Sequence, residues 1–131
     1  MKNICVIMFL LMASASNAEW VKVSESKLGT SYYVDNKSIM AQDTNFYIKM
    51  LVNYAQKQST GELSSISDTM LNCRNQMLKE THARYYSKRF GKGKKIGDDD
   101  LVRYDMAFWR SNVPGSVEFL FVSRLCGALE K

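Results

Sequence analysis

Apolar and polar residues alternate most regularly between residues 45 and 55. Five apolar side chains occupy every second position there: Phe46, Ile48, Met50, Val52 and Tyr54. Successive side chains of a β-strand point to opposite faces, so this period of two places all five on one face. The segment therefore predicts a half-buried central strand.

Four other segments predict further strands, of which the first two are short and the last two give a weaker signal. They are residues 19–23, 31–35, 62–73 and 77–90, and residues 101–109 form either a short last strand or a bridging segment. Polar stretches at 56–61 and 97–100 predict loops between them. A glycine turn at 91–93 interrupts the end of the 77–90 segment.

The period changes from two to that of a helix near the end of the chain. Ser116 suits a helix N-cap, Glu118 the first turn and Arg124 the last turn. The apolar positions at helical spacing are Val117, Leu120, Phe121, Leu125, Ala128 and Leu129. The prediction is an α+β fold, in which an antiparallel sheet of five or six strands carries one C-terminal amphipathic helix.

The first eighteen residues have the three-part pattern of a secretory signal peptide. Lys2 precedes an apolar run at 4–13, and Ser16 and Ala18 follow at the −3 and −1 positions of a cleavage site. The run is about half the roughly 20 residues that a membrane-spanning helix needs. We therefore expect residues 1–18 to be removed on export across the inner membrane, leaving one domain at 19–131 in the periplasm, at the cell surface or secreted.

Export leaves two of the three cysteines, because Cys5 leaves with the peptide. Cys73 and Cys126 then predict one disulfide in an oxidising compartment. It closes a loop of about fifty residues, which stabilises the fold by roughly 4 kcal/mol in the chain-entropy description. A redox-active pair is the competing interpretation, but it lacks the C-x-x-C spacing. Glu19 follows the cleavage site where a lipoprotein has cysteine, so no lipid anchor is expected.

Composition leaves little material for catalysis. The 131 residues, 24% of them charged, suit one globular domain, which excludes a disordered or low-complexity chain. His82 is the only histidine and lacks the spacing of a triad partner. Phosphate-binding, zinc-protease and serine-hydrolase motifs are absent from the sequence. We expect no enzyme, with no catalytic residue, metal or cofactor.

Five of the eight residues around the glycine turn are cationic. They are Lys88, Arg89, Lys92, Lys94 and Lys95, and we call residues 88–95 the basic loop. The loop is either a contact element for anions or a solvated hairpin tip. Asp98, Asp99 and Asp100 follow, and they suit neutralisation of the lysines better than a calcium loop. The export signal disfavours nucleic acid as a partner.

A set of short motifs runs the length of the mature chain in a fixed order. They are Glu19-Trp20-Val21, Tyr32-Tyr33-Val34-Asp35 with Ile39, Val52-Asn53-Tyr54, Ser64-Ser65, Cys73, Tyr85-Tyr86, Trp109, Val113-Pro114-Gly115-Ser116 and Cys126. In these the chain resembles the surface-adhesin protein E family of small exported bacterial proteins. The resemblance implies an antiparallel sheet with a helix tied on by a disulfide.

The same resemblance implies a role at the bacterial envelope. The founding member is an adhesin for host vitronectin, laminin and plasminogen, and it is an outer-membrane lipoprotein. We therefore expect an exported, non-enzymatic binding module that contacts host matrix or serum proteins or anionic glycans through the basic loop. The alternative is a periplasmic structural or accessory protein with no host-binding role.

Overall fold

Hairpin connections join successive segments into one antiparallel sheet in the computed structural model, which describes residues 18–111 and 113–130. The predicted signal peptide lies outside the described residues, except for Ala18. The strands are β1 (Trp20–Glu25), β2 (Ser31–Asp35), β3 (Met40–Gln42), β4 (Asn45–Asn53), β5 (Ser64–Asn72), β6 (Met77–Tyr86), β7 (Lys95–Asp100) and β8 (Arg110–Ser111). One helix, α1 (Val117–Leu129), follows them.

Six strands form a continuous meander in the order β1-β2-β4-β5-β6-β7. The two short strands lie beside longer ones: β3 pairs with the first half of β4, and β8 pairs with the start of β6. Since β2 pairs with the second half of β4, β2 and β3 act together as one interrupted neighbour of that strand. The predicted α+β fold, with its six-strand sheet and C-terminal helix, is confirmed.

The alternating residues of β4 face α1 and form the centre of the core. Ile48, Met50 and Val52 are buried there together with Leu71 of β5 and Leu78 of β6. The helix contributes Phe121, Val122, Leu125 and Cys126 to the same cluster. Full burial of one such apolar side chain is worth roughly 1.5–3 kcal/mol, so this face supplies the main stabilisation of the fold.

Both ends of α1 are attached to the sheet. At its start, Ser116 caps the helix by accepting a hydrogen bond from the Phe119 amide at 3.1 Å. The Ser24 hydroxyl of β1 donates to the Val117 carbonyl at 3.1 Å. Near its end, Cys126 forms a disulfide with Cys73, directly after β5. The predicted disulfide is therefore confirmed. The predicted helix face is right at Phe121 and wrong at Ala128, which is exposed.

Residues 97–100, predicted as a loop, belong to the edge strand β7. They are too polar to show an apolar period, because β7 pairs with β6 on one side only and its side chains are mostly exposed. The short strand β3 was also missed, since all three of its residues are exposed. Edge strands of this kind are held by backbone pairing, which leaves no hydrophobic pattern in the sequence.

Two predicted strands end early or do not form. The strand predicted at 77–90 ends at Tyr86, because the chain then turns back through Phe90 and Gly91, which have φ of +60° and +66°. Residues 101–109 form turns and irregular backbone, so the bridging alternative is right and only residues 110 and 111 pair with β6. Several apolar side chains of this segment are exposed: Val102, Tyr104, Met106 and Phe108.

Candidate binding surface

The basic loop connects β6 to β7 as a closed turn. The Ser87 amide donates to the Lys94 carbonyl at 2.9 Å, and the Lys88 amide donates to the Lys92 carbonyl at 3.1 Å. Gly93, at φ +78°, lets the chain reverse between them, in a conformation that favours glycine. The loop therefore has a defined backbone of its own.

The same loop is anchored on the outer face of the sheet, the face opposite α1. The Phe90 amide donates to Asn53 Oδ1 at 2.8 Å, and the Gly91 amide donates to Ser64 Oγ at 3.0 Å. The Ser64 hydroxyl in turn donates to the Lys88 carbonyl at 2.6 Å. Phe90 also lies against the ring of Tyr33, with 5.2 Å between the ring centroids. The loop is thus folded back over the sheet.

This anchoring explains why the outer face of β4 is not polar throughout. Leu51 points away from the helix, yet it has no exposed surface. Its neighbours across the sheet are Tyr33 and Ile66, which the loop contacts through Phe90 and Gly91. The basic loop therefore covers a small second apolar layer.

The structure divides the five cations of the loop into two groups. The Arg89 guanidinium donates to the backbone carbonyls of Tyr54 and Ala55, each at 3.0 Å. Lys95 pairs with Asp98 at 2.9 Å. The other three cations, Lys88, Lys92 and Lys94, are exposed and form no ion pair with any other described residue. These three lysines are the cations free to meet a partner.

Asp98 neutralises Lys95 near the end of the loop and also contacts His82. It accepts hydrogen bonds from Lys95 and from His82, and these bonds lower the pKa of its carboxyl to about 2. The pair with Lys95 agrees with the predicted neutralising role at Asp98, whereas Asp99 and Asp100 form no ion pair with any described residue. Within residues 18–111 and 113–130, three potential metal ligands converge at Cys73, Cys126 and Glu130, and both sulfurs there belong to the disulfide.

A groove of about 630 Å³ crosses the outer face beside the basic loop. Its principal lining residues are Trp20, Asp35, Lys37, Lys49, Arg84 and Tyr86. A smaller depression lined by Trp20, Phe90 and Lys92 lies next to it, so the groove continues to the loop. The surface therefore combines aromatic rings with ammonium and guanidinium groups, a combination that suits a ligand with negative charges.

The charges within the groove are only partly compensated. Lys49 of β4 lies opposite Asp68 of β5, but the Asp68 carboxylate is occupied by Arg84 at 3.1 Å. Lys49 is exposed and has no ion pair among the described residues. The groove has no signal in the sequence, because its residues come from five strands and a turn and share no local motif.

The aromatic residues occupy several environments. Tyr32 packs on Phe121 with 5.8 Å between ring centroids, and burial raises the pKa of its hydroxyl to about 12. Burial also raises the pKa of Tyr85 to about 12. Trp109 lies beneath the Lys79 ammonium at 5.4 Å, and Tyr86 lines the groove. The aromatic residues therefore serve the core, its edge and the candidate surface.

Comparison with known proteins gives a family and a fold. The family model described as surface-adhesin protein E matches residues 20–127. Crystal form II of Haemophilus influenzae protein E is 16% identical, with a TM-score of 0.65 over 90% of this chain and 94% of that one. Protein E from non-typeable Haemophilus influenzae is 15% identical, with a TM-score of 0.61 over 87% of this chain and 79% of the other.

Two further findings complete the comparison. A search of curated proteins gave no match. In the described part of the chain, no helix has the length and apolar character needed to span a membrane. The family match covers every strand and most of α1, and the solved structures share the fold. The chain therefore belongs to the surface-adhesin protein E family.

Proposed function

We propose that this chain is an exported, non-enzymatic binding module of the bacterial envelope, and that its basic loop contacts an acidic partner. The partner would be an acidic stretch of a host matrix or serum protein, or an anionic glycan. The proposal rests on three exposed lysines, Lys88, Lys92 and Lys94, which pair with no carboxylate of the described residues and lie on a backbone anchored to the sheet.

The anchoring matters for affinity as well as for shape. A loop that is already ordered loses less conformational entropy on binding than a free hairpin tip does. Hydrogen bonds from Phe90 and Gly91 hold the loop backbone before any partner arrives. Exposed cations accelerate encounter with an acidic surface, and salt screens the attraction. Binding through this loop should therefore be fast and sensitive to ionic strength.

Charge reversal of the three free lysines tests the proposal. The variant Lys88→Glu, Lys92→Glu, Lys94→Glu should bind immobilised vitronectin, laminin, plasminogen or heparin at least tenfold more weakly, since each lost contact is worth roughly 0.2–1 kcal/mol and is replaced by repulsion. Surface plasmon resonance at two salt concentrations measures the change. If wild-type binding to any of these ligands survives the reversal, the basic loop is not the contact element.

A matched variant separates local contact from net charge. Lys27→Glu, Lys57→Glu, Arg74→Glu changes the total charge by the same amount at three exposed positions outside the loop. Its binding should remain within about twofold of the wild type if the loop is the site. An equal loss in both variants would mean that the ligand responds only to net charge.

The second candidate is a periplasmic structural or accessory role. It is favoured by Glu19, which occupies the position after the predicted cleavage site where a lipoprotein has its lipidated cysteine. A chain of that kind would remain inside the outer membrane and would not meet a host protein. Whether intact cells expose the domain distinguishes the two roles.

A further inference from the structure

Asp35, the last residue of β2, is a buried carboxylate without a cationic partner. Only 6% of the residue is exposed, and no ammonium or guanidinium group of the described residues lies within ion-pair distance. Burial of an ionised carboxylate is unfavourable unless a cation or several hydrogen bonds compensate it. The groups around Asp35 must therefore compensate the burial of its carboxylate.

Two backbone amides converge on one oxygen of this carboxylate. The amide of Glu19 donates to Asp35 Oδ1 at 3.0 Å, and the amide of Lys37 donates to the same atom at 3.1 Å. One of these two donors, the nitrogen of Glu19, belongs to the residue that directly follows the predicted cleavage site. That nitrogen is therefore an amide before cleavage and an amine after it.

Glu19 is held at its other polar groups as well. The Asn36 amide donates to the Glu19 carbonyl at 2.9 Å, and the Asn36 side chain donates to Glu19 Oε1 at 3.2 Å. The turn 35–37 thus forms hydrogen bonds with the nitrogen, the carbonyl and the carboxylate of Glu19. Backbone and side-chain groups that converge on a chain end are a known means of capturing an amino terminus.

We infer that signal-peptide cleavage after Ala18 completes an ion pair between the new α-ammonium group of Glu19 and the Asp35 carboxylate. The inference rests on the predicted signal peptide and is independent of the binding role of the basic loop. Hydrolysis breaks the Ala18–Glu19 peptide bond with one water molecule, whose hydroxyl goes to the Ala18 carbonyl carbon. Glu19 nitrogen takes one proton from that water and a second from solvent, and so becomes the ammonium group. Cleavage thereby adds an ion pair that holds the start of β1 against the end of β2.

The pair has a defined pH dependence. A partner carboxylate raises the pKa of an amine above the 7.7–8.0 typical of a free α-amino group. Its stabilisation is therefore complete below that unfolded value and is lost as the pH rises through the higher folded pKa. The other charged groups around Asp35 are Lys37, Lys49 and Arg84 of the groove and the side chain of Glu19 itself. None of these side-chain types ordinarily titrates between pH 6 and 9.

Cleavage would also change the electrostatics of the groove. Asp35 is the carboxylate among the lining residues that also include Lys37, Lys49 and Arg84. Once the α-ammonium group neutralises it, the groove gains one unit of positive charge. The mature chain should thus present a more positive outer face than the precursor does.

The first test is the amino terminus of the exported protein. The full-length chain is produced in a bacterium, recovered from the exported fraction and sequenced from its amino terminus. We expect the sequence to begin Glu-Trp-Val. Any other first residue would place the amine away from Asp35 and overturn the inference.

The second test measures the pair itself by a double-mutant cycle. A Gly-Ser insertion after Ala18 in the full-length gene yields an exported chain whose amine lies two residues before Glu19, while the Glu19 amide remains. At pH 6.5 the unfolding equilibrium constant of the wild type in urea should be about tenfold lower than that of the chain with the Gly-Ser insertion. The reason is that charge-assisted hydrogen bonds are roughly twice as strong as neutral ones. This difference should disappear at pH 10 and in an Asp35→Asn background. Equal stability of the two chains at pH 6.5, or an unchanged difference in Asp35→Asn, contradicts the pair.

A third measurement covers the case in which Asp35→Asn does not fold. The pKa of the α-amino group in the wild-type mature protein can be followed by NMR with nitrogen labelling. It should lie well above the ordinary 7.7–8.0. A value within that range would rule out the ion pair without recourse to any variant.

Discussion

At the scale of single residues, the conformation required by the backbone decides the effect of a substitution more than residue type does. Two glycines show this contrast. Gly91 in the basic loop has φ +66°, and a Cβ atom there would lie 2.4 Å from Ile66 Cδ1. Gly127 lies within α1, and a Cβ atom there would meet nothing within 4 Å. Substitution by alanine should therefore change the stability in opposite directions at the two sites.

Gly91→Ala should destabilise the protein by about 1–2 kcal/mol, because the left-handed backbone is strained for alanine and Ile66 must move. Gly127→Ala should stabilise it by about 0.5–1 kcal/mol, because alanine loses less backbone entropy in a helix. Urea unfolding at pH 7 measures both. A stability of Gly91→Ala equal to that of the wild type would show that the loop is not docked on Ile66.

Arg110 is a second residue whose role depends on its neighbours. It lies between two carboxylates, at 3.0 Å from Glu118 of α1 and 3.6 Å from Glu80 of β6. Burial raises the pKa of Glu80, and the Arg110 charge opposes that rise. The guanidinium therefore favours the ionised form of a partly buried carboxylate and links the sheet to the helix.

Arg110→Gln should cost about 1 kcal/mol at pH 7, a modest figure because solvent screens a pair that is partly exposed. A raised pKa means that ionised Glu80 disfavours the folded state as the pH rises above about 4.5, so the cost should shrink when the pH is lowered to 4. Thermal unfolding at both pH values measures it. Arg74→Gln, at an exposed turn position, is the control and should be neutral at both. If the loss of stability in Arg110→Gln is the same at both pH values, Arg110 does not act by stabilising the charge of Glu80.

At the scale of elements, α1 depends on three attachments of different kinds. Its apolar face is buried against the sheet, its first turn is capped by Ser116, and Cys126 is bonded to Cys73. The helix lies beside β1 and β2, whereas the disulfide joins it to the end of β5. The helix thus joins parts of the sheet that are not neighbours.

Cys73→Ala, Cys126→Ala should lower the free energy of unfolding by roughly 4 kcal/mol, because the cross-link closes a 53-residue separation in the unfolded chain. Urea denaturation of the oxidised wild type and of the variant measures the difference. Addition of reductant should destabilise the wild type by a similar amount and leave the variant unchanged. A loss below about 1 kcal/mol would mean that the packed face of Phe121 and Leu125 holds the helix without help.

At the scale of the whole molecule, opposite faces of the sheet serve different purposes. One face carries the core and α1, and the outer face carries the basic loop and the groove. Removal of the predicted signal peptide takes away one cation, Lys2, and lowers the formal net charge of +5 by one. The domain at 19–131 would therefore remain basic, with Lys88, Lys92 and Lys94 exposed in its basic loop.

If the domain acts on host molecules, it must be accessible from outside the cell. An external protease should digest a tagged copy on intact cells, because exposed segments such as residues 101–109 offer cleavage sites. A periplasmic protein should be protected until the cells are lysed. Protection on intact cells combined with digestion in lysates would favour the periplasmic accessory role and end the host-binding proposal.

Elements with a local signal could be predicted from the sequence alone. The period of two in β4 and the helical period of α1 each arise from residues close in the chain that must bury one face. The cysteine pair followed from the expected loss of Cys5 and the even number that remains. The family resemblance then agreed with this local pattern over most of the mature chain.

The outer face, in contrast, could not be predicted, because it is built by contacts between distant parts of the chain. The edge strand β7 is held by backbone pairing with β6, so its polar residues carried no periodic signal. The burial of Leu51 depends on a loop that returns from some forty residues later through a left-handed turn at Phe90 and Gly91. The groove and the contact between Glu19 and Asp35 likewise join residues from separate strands. Local periodicity specifies which face of a strand is buried, whereas such juxtapositions depend on strand pairing and loop geometry across the whole chain.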